Sequence, residues 1–134
     1  QLNEVPPADG TENRIVWDWP TSNPVTRSFG ELDSKGISFS GDAGAPVLAV
    51  ADGKVVYAGA GLRGYGELLL IKHDPTFLTA YAHQQKILVK EGQMVNRGQK
   101  IGEMGNTGTD TVKLHFEIRQ RGKPVDPTLF LPNR

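Results

Sequence analysis

The chain has 134 residues, enough for one domain with a core of useful size. Fifteen Lys and Arg balance fifteen Asp and Glu, so no global field points to nucleic acid or an anionic membrane, and no run of basic residues supplies a DNA-binding face. Cysteine is absent, which excludes a disulfide and a thiolate-bound metal, and no apolar stretch reaches the length of a membrane-spanning helix.

Residues 1–13 hold Pro6-Pro7, Asp9, Gly10 and two glutamates with little apolar content. They read as the end of a linker, with the domain proper at 14–134. The chain starts at Gln1 and shows no signal-peptide pattern, so any export signal or lipid anchor is expected upstream. Ile15 to Pro20 has the residue types of a strand closed by proline. Glycines then punctuate the chain at short intervals. Between them lie runs of β-branched and aromatic residues at Pro46 to Val50, Lys54 to Ala58, Leu68 to His73, Thr79 to His83 and Leu114 to Arg119. Asp52-Gly53 between two apolar runs predicts a hairpin. Ile87 to Val89 and Lys100 to Met104 are weaker strand candidates, and Pro127 to Leu131 suits one helical turn. Gly44 to Val55 and Glu91 to Gly102 share a pattern of glycine turns and apolar residues, which hints at two similar β-motifs packed on each other. The class is all-β, a barrel or packed antiparallel sheets, with little helix.

Chemistry-bearing residues are few. The histidines are His73, His83 and His115. No serine sits in a Gly-x-Ser-x-Gly elbow, and nothing favours a Ser-His-Asp triad. Strand alternation puts Lys113, His115 and Glu117 on one face, with Leu114 and Phe116 turned to a core, and it puts Tyr81 and His83 together. His73 follows an apolar run and precedes Asp74-Pro75, as a strand-end residue bonded to a turn does.

Gly44-Ala-Pro-Val47, Ala51-Asp-Gly-Lys-Val-Val56, Gly64-Tyr-Gly66, Ile71-Lys-His73, Tyr81-Ala-His83, Gly98-Gln-x-Ile-Gly102, Gly105-x-Thr-Gly108 and Leu114-His-Phe-Glu117 stand in an order that resembles LytM-type (lysostaphin-family) metallopeptidase domains. The likeness runs from about Trp19 to about Leu131. It implies packed antiparallel β-sheets with long loops, 59–66 and 104–112, flanking a groove and expected to be mobile. Active members of that family are zinc hydrolases of peptidoglycan cross-bridges. They bind zinc through an early His-x-x-x-Asp and the last His of a late His-x-His, and two further histidines assist the attacking water. Carried over here, the early pair falls on Ser34 and Ser38, and the first His of the late pair falls on Lys113. His115, in a ligand position, and His83, in an assisting position, are vestiges.

A catalytic zinc needs about three His or carboxylate ligands and one open position. Hydroxyls are poor ligands at neutral pH, and one imidazole does not hold the ion. A lysine adds repulsion: unit charges 4 Å apart at an effective dielectric of 20 interact by about 4 kcal/mol, and a divalent ion roughly doubles that. No metal and no cofactor are therefore expected, nor hydrolase activity. The resemblance is strongest to degenerate LytM domains of the NlpD type, which activate N-acetylmuramoyl-L-alanine amidases in daughter-cell separation and sit in periplasmic proteins with a lipid anchor in the outer membrane. On that reading a groove rimmed by Arg63, Tyr65, Tyr81, His83, Lys113 and His115 docks the amidase. Two alternatives are a peptidoglycan-binding module and an active zinc endopeptidase that recruits Asp33, Asp42 or His73. A biotinyl- or lipoyl-type carrier is disfavoured, because Lys54 lacks the context of a modified lysine.

Overall fold

The computed structural model describes residues 15–134; the expected linker, 1–13, and Arg14 at the domain's expected start lie outside them. Ten strands follow in chain order: β1 (Val25–Arg27), β2 (Ile37–Ser40), β3 (Pro46–Leu48), β4 (Gly53–Gly59), β5 (Glu67–Lys72), β6 (Phe77–Ile87), β7 (Met94–Val95), β8 (Lys100–Met104), β9 (Lys113–Gln120) and β10 (Lys123–Val125). Helix among the described residues is confined to 3-10 turns at Glu31–Asp33 and Pro127–Leu129. The strands run β1-β2-β9-β6-β5-β4-β7 across the main sheet, with β10 on β9 and with β8 joining β3 to β6. All pairings are antiparallel. The all-β, antiparallel class is as the residue pattern predicts.

Long β6 organises the molecule. Its first half lies between β5 and β9, and its far end pairs with β8. Alternation divides its neighbours between two faces. Leu69 and Ile71 of β5, Tyr81 of β6 and Leu114, Phe116 and Ile118 of β9 enter the main core with Val47, Ile101 and Met104. Each large apolar side chain buried there contributes roughly 1.5–3 kcal/mol. On the other face Ala80, Ala82 and Leu68 form a shallow floor, with Tyr57, Tyr65 and Leu70 packed against it. The functional residues discussed below stand on this second face.

The two look-alike segments do meet. β3 pairs with β8 through Val47 and Gly102, and β4 pairs with β7 through Gly53 and Val95. Asp52-Gly53 does not close a hairpin: β3 and β4 each find partners from the second segment instead, because pairing across the two motifs buries Val47, Val55, Val95 and Ile101 together. Ile15 to Pro20 is also not a strand. It makes isolated backbone bonds, Asp18 N–H to Val50 and Leu48 N–H to Pro20, and is held by its side chains, with Trp17 edge-on to His73 and Phe77.

A hydrogen-bond chain that runs from His73 into the core fixes its state. Its Nδ1 lies 2.7 Å from the Asp52 carbonyl oxygen, which only accepts, so Nδ1 carries the proton. Nε2, 2.8 Å from Thr79 Oγ1, must then accept from that hydroxyl. Thr79 in turn accepts from the Tyr81 hydroxyl 2.9 Å away, whose oxygen takes the Val50 N–H. Charging the imidazole reverses this order and orphans a fully buried Tyr81 proton. Burial lowers the His73 pKa despite the help of the Asp52 carbonyl and of nearby Asp74 and Asp52. A histidine held neutral adds stability above the unfolded-chain value of about 6.5 that is lost as the pH falls through its lower folded value. The urea midpoint is therefore expected to drop between pH 7 and pH 5, with a smaller drop in His73→Gln. An unchanged pH slope in that variant would refute the assignment.

Candidate functional site

Strands β2, β6 and β9 and the loop before β5 converge on one open cleft of about 290 Å³ lined by Ser34, Ser38, Tyr65, His83, Lys113 and His115, together with Arg27, Asp33, Lys35, Gly64 and Glu117. Register explains much of this. Ser38 sits directly across the β2–β9 pairing from His115, and Ser40 across from Lys113. Lys113, His115, Glu117 and Arg119 follow every second residue along β9 and share its open face.

His83 reaches the cleft by a different device. Between the pairs Glu67–Gln84 and Leu69–Tyr81, β6 carries one residue more than β5. His83 takes the strain of this bulge with φ 65°, a left-handed conformation disfavoured for a residue with a Cβ. Its N–H donates to the Tyr65 carbonyl, and its Nδ1–H donates to the Thr107 carbonyl 2.8 Å away, which leaves Nε2 as an acceptor. Burial lowers its pKa, and the neighbouring charges of His115 and Lys113 act the same way against the Thr107 hydrogen bond. The bulge also decides the place of Tyr81. Tyr81 does not rim the groove with His83, as uninterrupted alternation implies. It lies fully buried in the main core, its ring 5.4 Å from that of Phe116.

The flanking loops are tied down. The Thr107 hydroxyl donates to the Gln84 carbonyl at 2.7 Å and accepts the Glu67 N–H at 3.0 Å. Gly66, at φ 62°, packs so closely on Thr107 that any Cβ would strike its carbonyl. Loops 59–66 and 104–112, expected to be mobile, are thus pinned together at this point. Arg63 is exposed, next in sequence to Gly64 and outside the lining.

Beneath the cleft lies a network not foreseen from the residues singly. Glu117 is fully buried. His115 Nε2 and the Tyr65 hydroxyl donate to its Oε2 at 2.8 and 2.9 Å, and Arg119 donates to its Oε1 at 2.8 Å. Arg119 also donates to the Tyr65 oxygen at 3.1 Å. Burial alone would raise the Glu117 pKa, but the hydrogen bonds from His115 and Arg119 and the Arg119 charge outweigh it and hold the carboxyl below its ordinary range. Burial and the Glu117 charge raise the Tyr65 pKa.

This donor set does not suit a zinc ion. The Ser34 hydroxyl donates back to the Gly36 carbonyl at 2.9 Å. Ser38 offers a hydroxyl, His115 Nε2 is taken by Glu117, and the Lys113 ammonium lines the same cleft. Of the alternative ligands, Asp33 lines the cleft, while Asp42 lies outside it and His73 packs against Trp17. No group of three or more His, Cys, Asp or Glu suited to a metal occurs among the described residues.

Residues 33–127 match Peptidase family M23. The lipoprotein NlpD/LppB homolog of Pseudomonas aeruginosa is 58% identical over 120 residues, covering 88% of this chain and 40% of the relative. The murein hydrolase activator NlpD of Escherichia coli is 52% identical over 121 residues, covering 89% of this chain and 32% of the relative. The chain thus spans well under half the length of either relative. A zinc-containing peptidase from Vibrio cholerae superposes with a TM-score of 0.78 at 36% identity, over 84% of this chain and 39% of that one. With this match, these relatives and this fold, the chain belongs to peptidase family M23, the LytM-type domains.

Proposed function

We propose that this domain is a non-catalytic activator of a periplasmic N-acetylmuramoyl-L-alanine amidase, acting in the splitting of septal peptidoglycan and the separation of daughter cells. The observation that carries the reading is the cleft itself. The fold is that of a zinc-containing peptidase, yet the cleft is lined by the Ser34 and Ser38 hydroxyls and the Lys113 ammonium, which we read as standing in the places of two metal ligands and an assisting histidine. On that reading no ion is held there to lower the pKa of an attacking water. The names of two relatives, a murein hydrolase activator and an NlpD/LppB lipoprotein homolog, support the same reading. The full-length protein is then held at the outer membrane of a Gram-negative bacterium by a lipid, with this domain in the periplasm.

The groove works by docking. Tyr65, His83, Lys113 and His115 line it, and Arg63 is exposed next to the lining residue Gly64; Tyr and Arg are the types enriched at binding hot spots. Binding the open form of the amidase in preference to the closed form shifts its population. Taking an enzyme from 1% to 99% open requires differential binding of about 5.5 kcal/mol, within reach of a standard-size interface. Arg63→Glu, at an exposed site where folding is unaffected, is expected to cut stimulation of the amidase on labelled sacculi several-fold. Full stimulation by that variant would remove Arg63 from the docking surface. A second reading, in which the groove holds glycan or stem peptide, draws on the Tyr65 ring in the lining and is checked by sacculus pull-down without amidase.

A further inference from the structure

The charges lining the cleft are unequal. Arg27, Lys35 and Lys113 face Asp33 and Glu117, and Glu117 has both oxygens occupied by His115, Tyr65 and Arg119. Among the described residues, none of the three cations has a carboxylate within salt-bridge distance; the ion pairs there are Lys100 with Glu103 and Glu117 with His115 and Arg119. Ser38 is 5% exposed and lines the cleft across from His115. Its hydroxyl makes no hydrogen bond among the described residues and is open to the cleft. Cations and a free hydroxyl on one concave surface present donors, and the group that satisfies them is an anion able to accept several hydrogen bonds at once. At about 290 Å³ the space is at the lower edge of small-molecule pockets. It suits a single side chain better than a glycan strand.

We infer that the cleft is a carboxylate receptor in which the Lys113 ammonium, with Ser38, Arg27 and Lys35 around it, takes an Asp or Glu side chain from the docking segment of the amidase. The inference rests on the activator reading above and names the chemistry of its partner. Where the family's cleft attracts oxygen ligands through a metal ion, this one does so through an ammonium. His83 Nε2, an acceptor, is suited to an N–H beside the incoming carboxylate.

The test uses the full-length protein mixed with the amidase and a carbodiimide, which links an amine to a carboxylate only where the two touch. Peptide mapping is expected to find Lys113 joined to an Asp or Glu of the amidase. Lys113→Arg should keep stimulation, while Lys113→Met and Lys113→Glu weaken amidase binding by about tenfold or more. A lysine placed at the cross-linked acid should restore binding to Lys113→Glu. Two results overturn the inference: Lys113 joined instead to a muropeptide carboxylate, or Lys113→Glu and Lys113→Met stimulating the amidase as well as the unaltered protein does. A protein that fails to stimulate the amidase before any substitution contradicts the activator reading itself, which separates the two failures.

Discussion

Replacing Glu117 by Gln is expected to cost about 3 kcal/mol of stability, the lower end of what breaking a buried ion pair costs, since Arg119 keeps some access to water. Glutamine has nearly the shape of glutamate, so packing is kept and the effect reports on charge and hydrogen bonding. The new amide N–H group must point at Arg119 or at His115 and Tyr65, all of them donors to this side chain. Either choice leaves buried polar atoms unpaired. A loss of that size lowers the melting temperature of a domain this long by roughly 10 °C. The pH dependence follows from the sign of the shift. The carboxyl is held below its ordinary range, so its contribution is present above the unfolded-chain value of about 4.3 and is lost as the pH falls through the lower folded value. The acid limb of the stability curve should be flatter in Glu117→Gln. A variant as stable as the unaltered protein at pH 7 would show that the network under the cleft does not support it.

The second large effect is a gain. Ser34→His, Ser38→Asp and Lys113→His together rebuild the family's ligand pattern around His115 and remove the ammonium. Ser38 already faces His115 across β2 and β9, so an aspartate there starts beside the surviving imidazole. The triple variant is expected to bind one zinc per chain and to be stabilised by about 2.7 kcal/mol when free zinc is a hundredfold above its dissociation constant. The unaltered protein should show no shift in melting temperature under the same zinc. Stoichiometric zinc in the unaltered protein, or none in the triple variant, would mean that Ser34 and Ser38 are not the vacated ligand positions.

How far the sequence carried the reading depended on whether the signal was local. Alternation in β9 separated Leu114 and Phe116 from Lys113, His115 and Glu117, and the structure keeps that division. One more step of two along the strand reaches Arg119, so this partner of Glu117 is legible in the same period. Arg27 and Lys35 enter the cleft through β1, β2 and the turn between them, a non-local arrangement that no spacing announces. Alternation misplaces Tyr81, because the bulge at His83 falls on a residue with no glycine or proline to mark it. Asp52-Gly53 carried a correct local signal for a change of direction, but the partners of the flanking strands are set by burial against the second motif. The short strands β1, β7 and β10 have too few residues to show a period, and they exist because longer neighbours offer them an edge.

The most direct test of the account is release of dye from labelled sacculi by this domain alone, by a periplasmic amidase alone, and by both together, in buffer with added zinc. The account predicts no release by the domain, little by the amidase, and at least tenfold more by the pair. Release by the domain alone, abolished by a chelator, would contradict it and mean that a working metal site exists in this chain.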